Sequence, residues 1–140
     1  MIGVIIATHG EFSIGLLNAL ELIMGKQEKV ETMCLTHDTS IEEFSVDMLN
    51  HIKSLDSGEG VVVFTDLYSA SPYNQAALNY KNLQDVDYRI ISGVNLPMLV
   101  EGFNQRMLGT SLDDVATLSM ETAKEGIKEF FNEMKQNKAE

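Results

Sequence analysis

The feature that most constrains this chain is an unbroken apolar run at residues 2–7, Ile-Gly-Val-Ile-Ile-Ala, which stops at Thr8-His9-Gly10. A helical apolar pattern begins almost at once after it. A short continuous run of this kind reads as a strand buried on both faces, as in a parallel sheet. It delivers one histidine to its carboxyl end, on a loop just before a helix N-terminus. In open α/β sheets that is where ligands and chemistry sit.

Residues 30–35, 60–65 and 88–92 are the other strand candidates. Helical patterns lie between them. Leu16, Leu17, Leu20, Ile23 and Met24 share one helix face that stops near Gly25. Ser40-Ile41-Glu42-Glu43 is a capping box, and Ile41, Phe44, Met48, Ile52 and Leu55 point inward from the helix it opens. Ser71-Pro72 reads as an N-cap followed by proline at the first helical position. A fourth helix follows Asn95, with Pro97 in its first turn. The last opens at Ser111 and runs through Val115, Leu118 and Thr122 towards Phe130 and Phe131.

This alternation, with short loops, predicts an α/β single domain: a doubly wound, mostly parallel sheet with helices on both faces. With right-handed crossovers, the commonest small topology has strand order 2-1-3-4. Its switch point lies between strands one and three, so the loops at 8–11 and 66–71 flank one crevice. Topology alone thus brings His9 and Asp66 together. The domain is expected over residues 1–135, with a frayed tail at 136–140.

Ten Lys and Arg against twenty-one Asp and Glu give a net charge of -11, which argues against nucleic acid and anionic membranes as partners. The single cysteine, Cys34, excludes an internal disulfide and reads as a small buried hydrophobe. No apolar run approaches the ~18 residues of a membrane span, and the amino terminus has no basic leader. A cytoplasmic protein without direct membrane insertion is expected.

A carboxylate that accepts the Nδ1–H of an imidazole fixes the tautomer and leaves Nε2 as the nucleophile. That makes His9 a candidate phosphoryl carrier with Asp66 as its catalytic partner. Phosphoryl transfer needs positioning and charge stabilisation more than covalent chemistry, so no metal is required. Helix starts after His9, at Ser71 and after Asn95 offer backbone N–H groups to an anion. Candidate phosphate-binding residues in this crevice are Thr8, Gly10, Ser69, Ser71 and Asn95. His37, in a polar loop after the second strand, and His51, on the flank of the second helix, read as structural. No His/Cys/Asp/Glu set has metal-ligand spacing, and no nucleotide loop or nucleophile elbow is present, so no metal or cofactor is expected.

Ile5-Ile6-Ala7-Thr8-His9-Gly10 with Gly15-Leu16-Leu17, Asp66 with Ser71-Pro72-Tyr73-Asn74, and Gly93-Val94-Asn95-Leu96-Pro97-Met98-Leu99 together resemble the IIA component of the mannose-family sugar phosphotransferase system. The similarity covers nearly the whole chain, and the last block is the most specific. It implies a phosphorylatable His9, an aspartate partner at Asp66 and a phosphate-binding hydroxyl at Ser71. It also implies the phosphocarrier HPr as donor and a IIB component as acceptor, feeding a membrane permease of IIC and IID subunits. Leu67 replaces a frequent threonine, and Ser69-Ala70 replace a Gly-Gly pair, which narrows the backbone choices there. The resemblance further implies a homodimer that exchanges an antiparallel C-terminal edge strand. Local periodicity instead reads helix through residues 126–131, although Gly126 leaves room for a break.

Two other readings share the fold: the phosphocarrier subunit of a dihydroxyacetone kinase, and a flavodoxin-like module holding an anion or FMN. A third is a regulatory domain switched by phosphorylation of His9. The transported sugar is not encoded here, since a IIA component does not touch it.

Overall fold

The computed structural model describes residues 1–139. Its sheet has four parallel strands, β1 (Gly3–His9), β2 (Val30–Leu35), β3 (Val61–Thr65) and β4 (Tyr88–Ile91), in the order β2-β1-β3-β4. The predicted order and parallel pairing hold. His9 is the last residue of β1 and pairs in register with Leu35, so it extends from the strand and not from a loop.

The helices are α1 (Phe12–Met24), α2 (Ile41–Leu55), α3 (Ser71–Leu78), α4 (Leu96–Met107), α5 (Leu112–Glu125) and α6 (Phe130–Ala139). Alternation along each strand sorts the core into two layers. Val4, Ile6, Val62 and Phe64 face Leu16 and Leu20 of α1, Leu99 and Phe103 of α4, and Val115 of α5. Ile5, Ala7, Val61 and Val63 face Phe44, Met48 and Ile52 of α2 and Ala76 of α3. Both faces of β1 and β3 are therefore dry, which is why these strands read as continuous apolar runs. A β-carbon at Gly3 would lie 2.6 Å from Leu55 Cβ, so the start of β1 needs glycine for α2 to pack this close.

Several local expectations are corrected. Ile23 and Ile41 point outward, because the faces of α1 and α2 that meet the sheet are filled by neighbours one turn away. Cys34 is half-buried and shares a 3.4 Å contact with the Ser13 hydroxyl. The last helix ends at Gly126, whose added Cβ would press on Pro97 at 3.0 Å, and a new helix starts at Phe130. Residues 126–131 thus form neither a continuous helix nor, among the described residues, an edge strand. Residues 136–139, expected to fray, continue α6, while Glu140 lies outside the described residues. No helix among the described residues is long and apolar enough to cross a membrane.

Candidate functional site

At the carboxyl end of the sheet, His9 and Asp66 meet across the β1/β3 junction. Asp66 Oδ2 lies 2.9 Å from His9 Nδ1 and accepts the His9 backbone N–H at 3.0 Å. Oδ1 accepts the Leu67 N–H at 3.0 Å, so both oxygens are oriented by fixed donors. Partial burial pushes the Asp66 carboxyl up, but the His9 backbone and ring bonds outweigh it and hold the group below the usual carboxylate range. An ionised carboxylate only accepts, so Nδ1 must carry the proton in this pair. Nε2 of the neutral ring is then an unprotonated acceptor on the edge away from Asp66. The His9 side chain is 46% exposed and that of Asp66 13%, which gives an open imidazole backed by a sheltered carboxylate.

Thr8 is buried, and its hydroxyl accepts the Ser13 N–H at 2.8 Å while donating to the His9 carbonyl at 3.1 Å. It caps α1 where Glu11 provides no side-chain cap. Gly10 takes a left-handed φ of 56°, and its N–H donates to the Leu35 carbonyl at 2.8 Å. Both residues shape the His9 turn, and their donors are committed within the protein. Asn95 is also committed: Oδ1 accepts the Met98 N–H at 2.9 Å, and Nδ2 donates to the Ala123 carbonyl at 3.2 Å. Thr8, Gly10 and Asn95 thus engage the scaffold through these groups. Spacing cannot distinguish a polar side chain that faces a ligand from one that caps its own helix.

Ser71 differs from expectation in a useful way. It is the first helical residue of α3, the N-cap is Ala70, and no side chain caps the helix. The first turn thus keeps open N–H groups and a positive dipole end on the loop that leaves Asp66. The serine hydroxyl is not consumed by capping. Ser69 beside it is exposed and holds φ at 62°, one of two non-glycine residues with positive φ among those described. Its carbonyl accepts the Asn74 side-chain N–H at 2.8 Å, which helps pin the conformation. Ser69→Gly should stabilise the protein by about 0.5–1 kcal/mol, since glycine relieves the left-handed strain and its greater unfolded-state entropy offsets only part of that gain. Thermal unfolding should show a rise of ~2–4 °C; no rise would mean that other contacts already offset the strain.

The Gly93 N–H donates to the Asp66 carbonyl at 3.1 Å, tying the β4 loop to the site. On the other flank, His9, Gly10, Leu35, Thr36 and His37 line an open cavity of about 520 Å³. His37, expected to be structural, shares a wall with the candidate nucleophile. The sequence did carry the signal, because the loops after two neighbouring strands open at the same end of a parallel sheet. His51 is half-buried on α2, as expected.

Residues 3–120 match the family described as "PTS system fructose IIA component". The chain is 32% identical over 127 residues to the mannose-specific EIIAB component of the phosphotransferase system from Escherichia coli (strain K12), covering 91% of this chain and 39% of that protein. It thus spans well under half the length of that relative. It is 29% identical over 106 residues to the fructose-specific EIIA component of Bacillus subtilis (strain 168), covering 76% of this chain and 71% of that one. The crystal structure of phosphotransferase system component EIIA from Streptococcus agalactiae superposes with a TM-score of 0.86 at 30% identity, covering 94% of this chain and 99% of that one.

Proposed function

This chain belongs to the fructose- and mannose-type IIA family of the sugar phosphotransferase system, and from that membership we propose that it carries a phosphoryl group on His9 Nε2. The observation that carries the reading is the 2.9 Å contact of Asp66 Oδ2 with Nδ1, which leaves Nε2 unprotonated and open.

In the proposed step the Nε2 electron pair attacks the phosphorus of phospho-HPr. The phosphorus–nitrogen bond of the donor breaks, and its electron pair returns to the donor's imidazole. Asp66 stabilises the positive charge that develops on the His9 ring. The hydroxyls of Ser69 and Ser71 and the uncapped start of α3 meet the phosphoryl oxygens. The same chemistry in reverse passes the group to a IIB component serving IIC and IID membrane subunits.

Large apolar side chains stand exposed beside His9, namely Phe12 at the start of α1 and Leu67 and Tyr68 on the loop after β3, which supports macromolecular donors and acceptors over a small-molecule one. Exposure of Ile127, Phe130 and Phe131 supports a homodimer in which a second copy covers this segment. A cytoplasmic location follows from the proposed partners. The sugar is left open, since this site handles only the phosphoryl group.

The test is intact mass spectrometry after incubation with phosphoenolpyruvate, enzyme I and HPr. One acid-labile phosphoryl group is the expected result. No gain, with the donors active on another IIA protein, would overturn the reading in favour of a ligand-binding module.

A further inference from the structure

We propose that His37 is a second phosphoryl-facing group, whose imidazolium meets the oxygens of a phosphoryl group carried on His9. The proposal rests on the reading of His9 as the acceptor. It makes loading of His9 more favourable when His37 carries a positive charge.

The argument begins with the strand order. β1 lies between β2 and β3. Asp66 leaves β3 and engages the Nδ1 edge of His9, so the Nε2 edge faces away from Asp66. His37 leaves β2 on the other flank of β1 and lines the same cavity as His9. The two imidazoles are the only side chains lining that cavity that can carry positive charge.

His37 is also held in place. The Thr39 N–H donates to the Thr36 carbonyl at 3.2 Å, the Thr36 N–H donates to the Thr39 hydroxyl at 3.2 Å, and the two hydroxyls lie 2.9 Å apart. These bonds close a turn with His37 and Asp38 at its tip. They run through the threonines and leave the imidazole unspent.

Charge supplies the need. A phosphoryl group brings a charge of about -1.5 to -2 at neutral pH, and it would arrive beside the Asp66 carboxylate in a chain of net charge -11. A helix N-terminus offers only about half a positive charge. The four loops and helix starts at this end, residues 8–13, 36–43, 66–74 and 92–98, contain no Lys or Arg. The titratable groups on these elements are His9, Glu11, His37, Asp38, Glu42, Glu43, Asp66 and the tyrosines Tyr68 and Tyr73, with Lys124 of α5 across at β4. Apart from His9 itself, His37 is thus the one residue lining this cavity whose side chain can become a cation when the phosphoryl group is present.

The experiment measures single-turnover transfer from purified phospho-HPr to the wild type, His37→Gln and His37→Lys, at pH values from about 6 to 8. The wild type should exceed His37→Gln by about fivefold at the acid end, the size expected of a partly exposed charge pair, and converge with it at the alkaline end. His37→Lys should keep the acid-end advantage throughout. A ratio that stays at one, or a deficit in His37→Gln that is the same at both ends, would overturn the proposal, the latter by assigning His37 a purely structural role. A wild type that takes up no phosphoryl group would overturn the His9 reading and this one with it.

Discussion

His9→Ala should abolish phosphoryl uptake while leaving the fold in place. The residue ends β1 with half its side chain in solvent, so truncation removes little packing. Asp66 keeps the backbone N–H groups of residue 9 and Leu67, so its carboxylate is not left without donors. What disappears is the imidazole that Asp66 holds through Nδ1. Intact mass after exposure to the donor chain should show one added phosphoryl group on the wild type and none on the variant, with overlapping far-ultraviolet circular dichroism spectra. Uptake surviving the change would move the acceptor to another residue, and His37 would be the first to examine.

Asp66→Asn should slow uptake on the order of 10²-fold or more, the scale seen when an orienting carboxylate becomes an amide. The amide can still accept through its oxygen, but it no longer offsets the charge that builds on the imidazole. It also no longer forces the proton onto Nδ1. Single-turnover rates from phospho-HPr measure this, and a change of less than threefold would remove Asp66 from the mechanism. The same variant reports on acid stability. The Asp66 carboxyl sits below its ordinary value in the folded protein. Its contribution is therefore complete above the unfolded value near pH 4 and is lost as pH falls through the lower folded value. In urea titrations the wild type should lose more stability than Asp66→Asn below about pH 4, and the two curves should run parallel above it.

Much of the fold was legible because the strong signals are periodic. The runs at residues 2–7 and 60–65 have no polar interruption, since both faces of β1 and β3 are buried, and that pattern belongs to parallel sheets. Ser40 and Ser111 cap α2 and α5, accepting the N–H groups of Glu43 and Asp114, because a side-chain N-cap is a local interaction complete within four residues. Legibility failed where two local solutions had similar energies. Ser71-Pro72 suits a helix that starts at either residue, and the chain chose the earlier start, freeing the serine hydroxyl. Thr122 to Phe131 has a helical period throughout. Yet Gly126 meets Pro97 of α4 there, and α5 ends against that contact.

The sequence by itself determined the class of fold, the strand order and the meeting of His9 with Asp66. Burial periodicity and crossover handedness act over short stretches or by general rules, and together they bring the ends of β1 and β3 side by side. Only the tertiary structure decided which polar residues of the crevice remain available. Thr8 is spent on Ser13, Gly10 on Leu35 and Asn95 on Met98 and Ala123, whereas the hydroxyls of Ser69 and Ser71 remain. It also decided that His37 shares a cavity with His9. Hydrogen-bond donors and acceptors are paired by proximity across the chain, and a partner contributed from a distant segment leaves no trace in the spacing of the residues it satisfies.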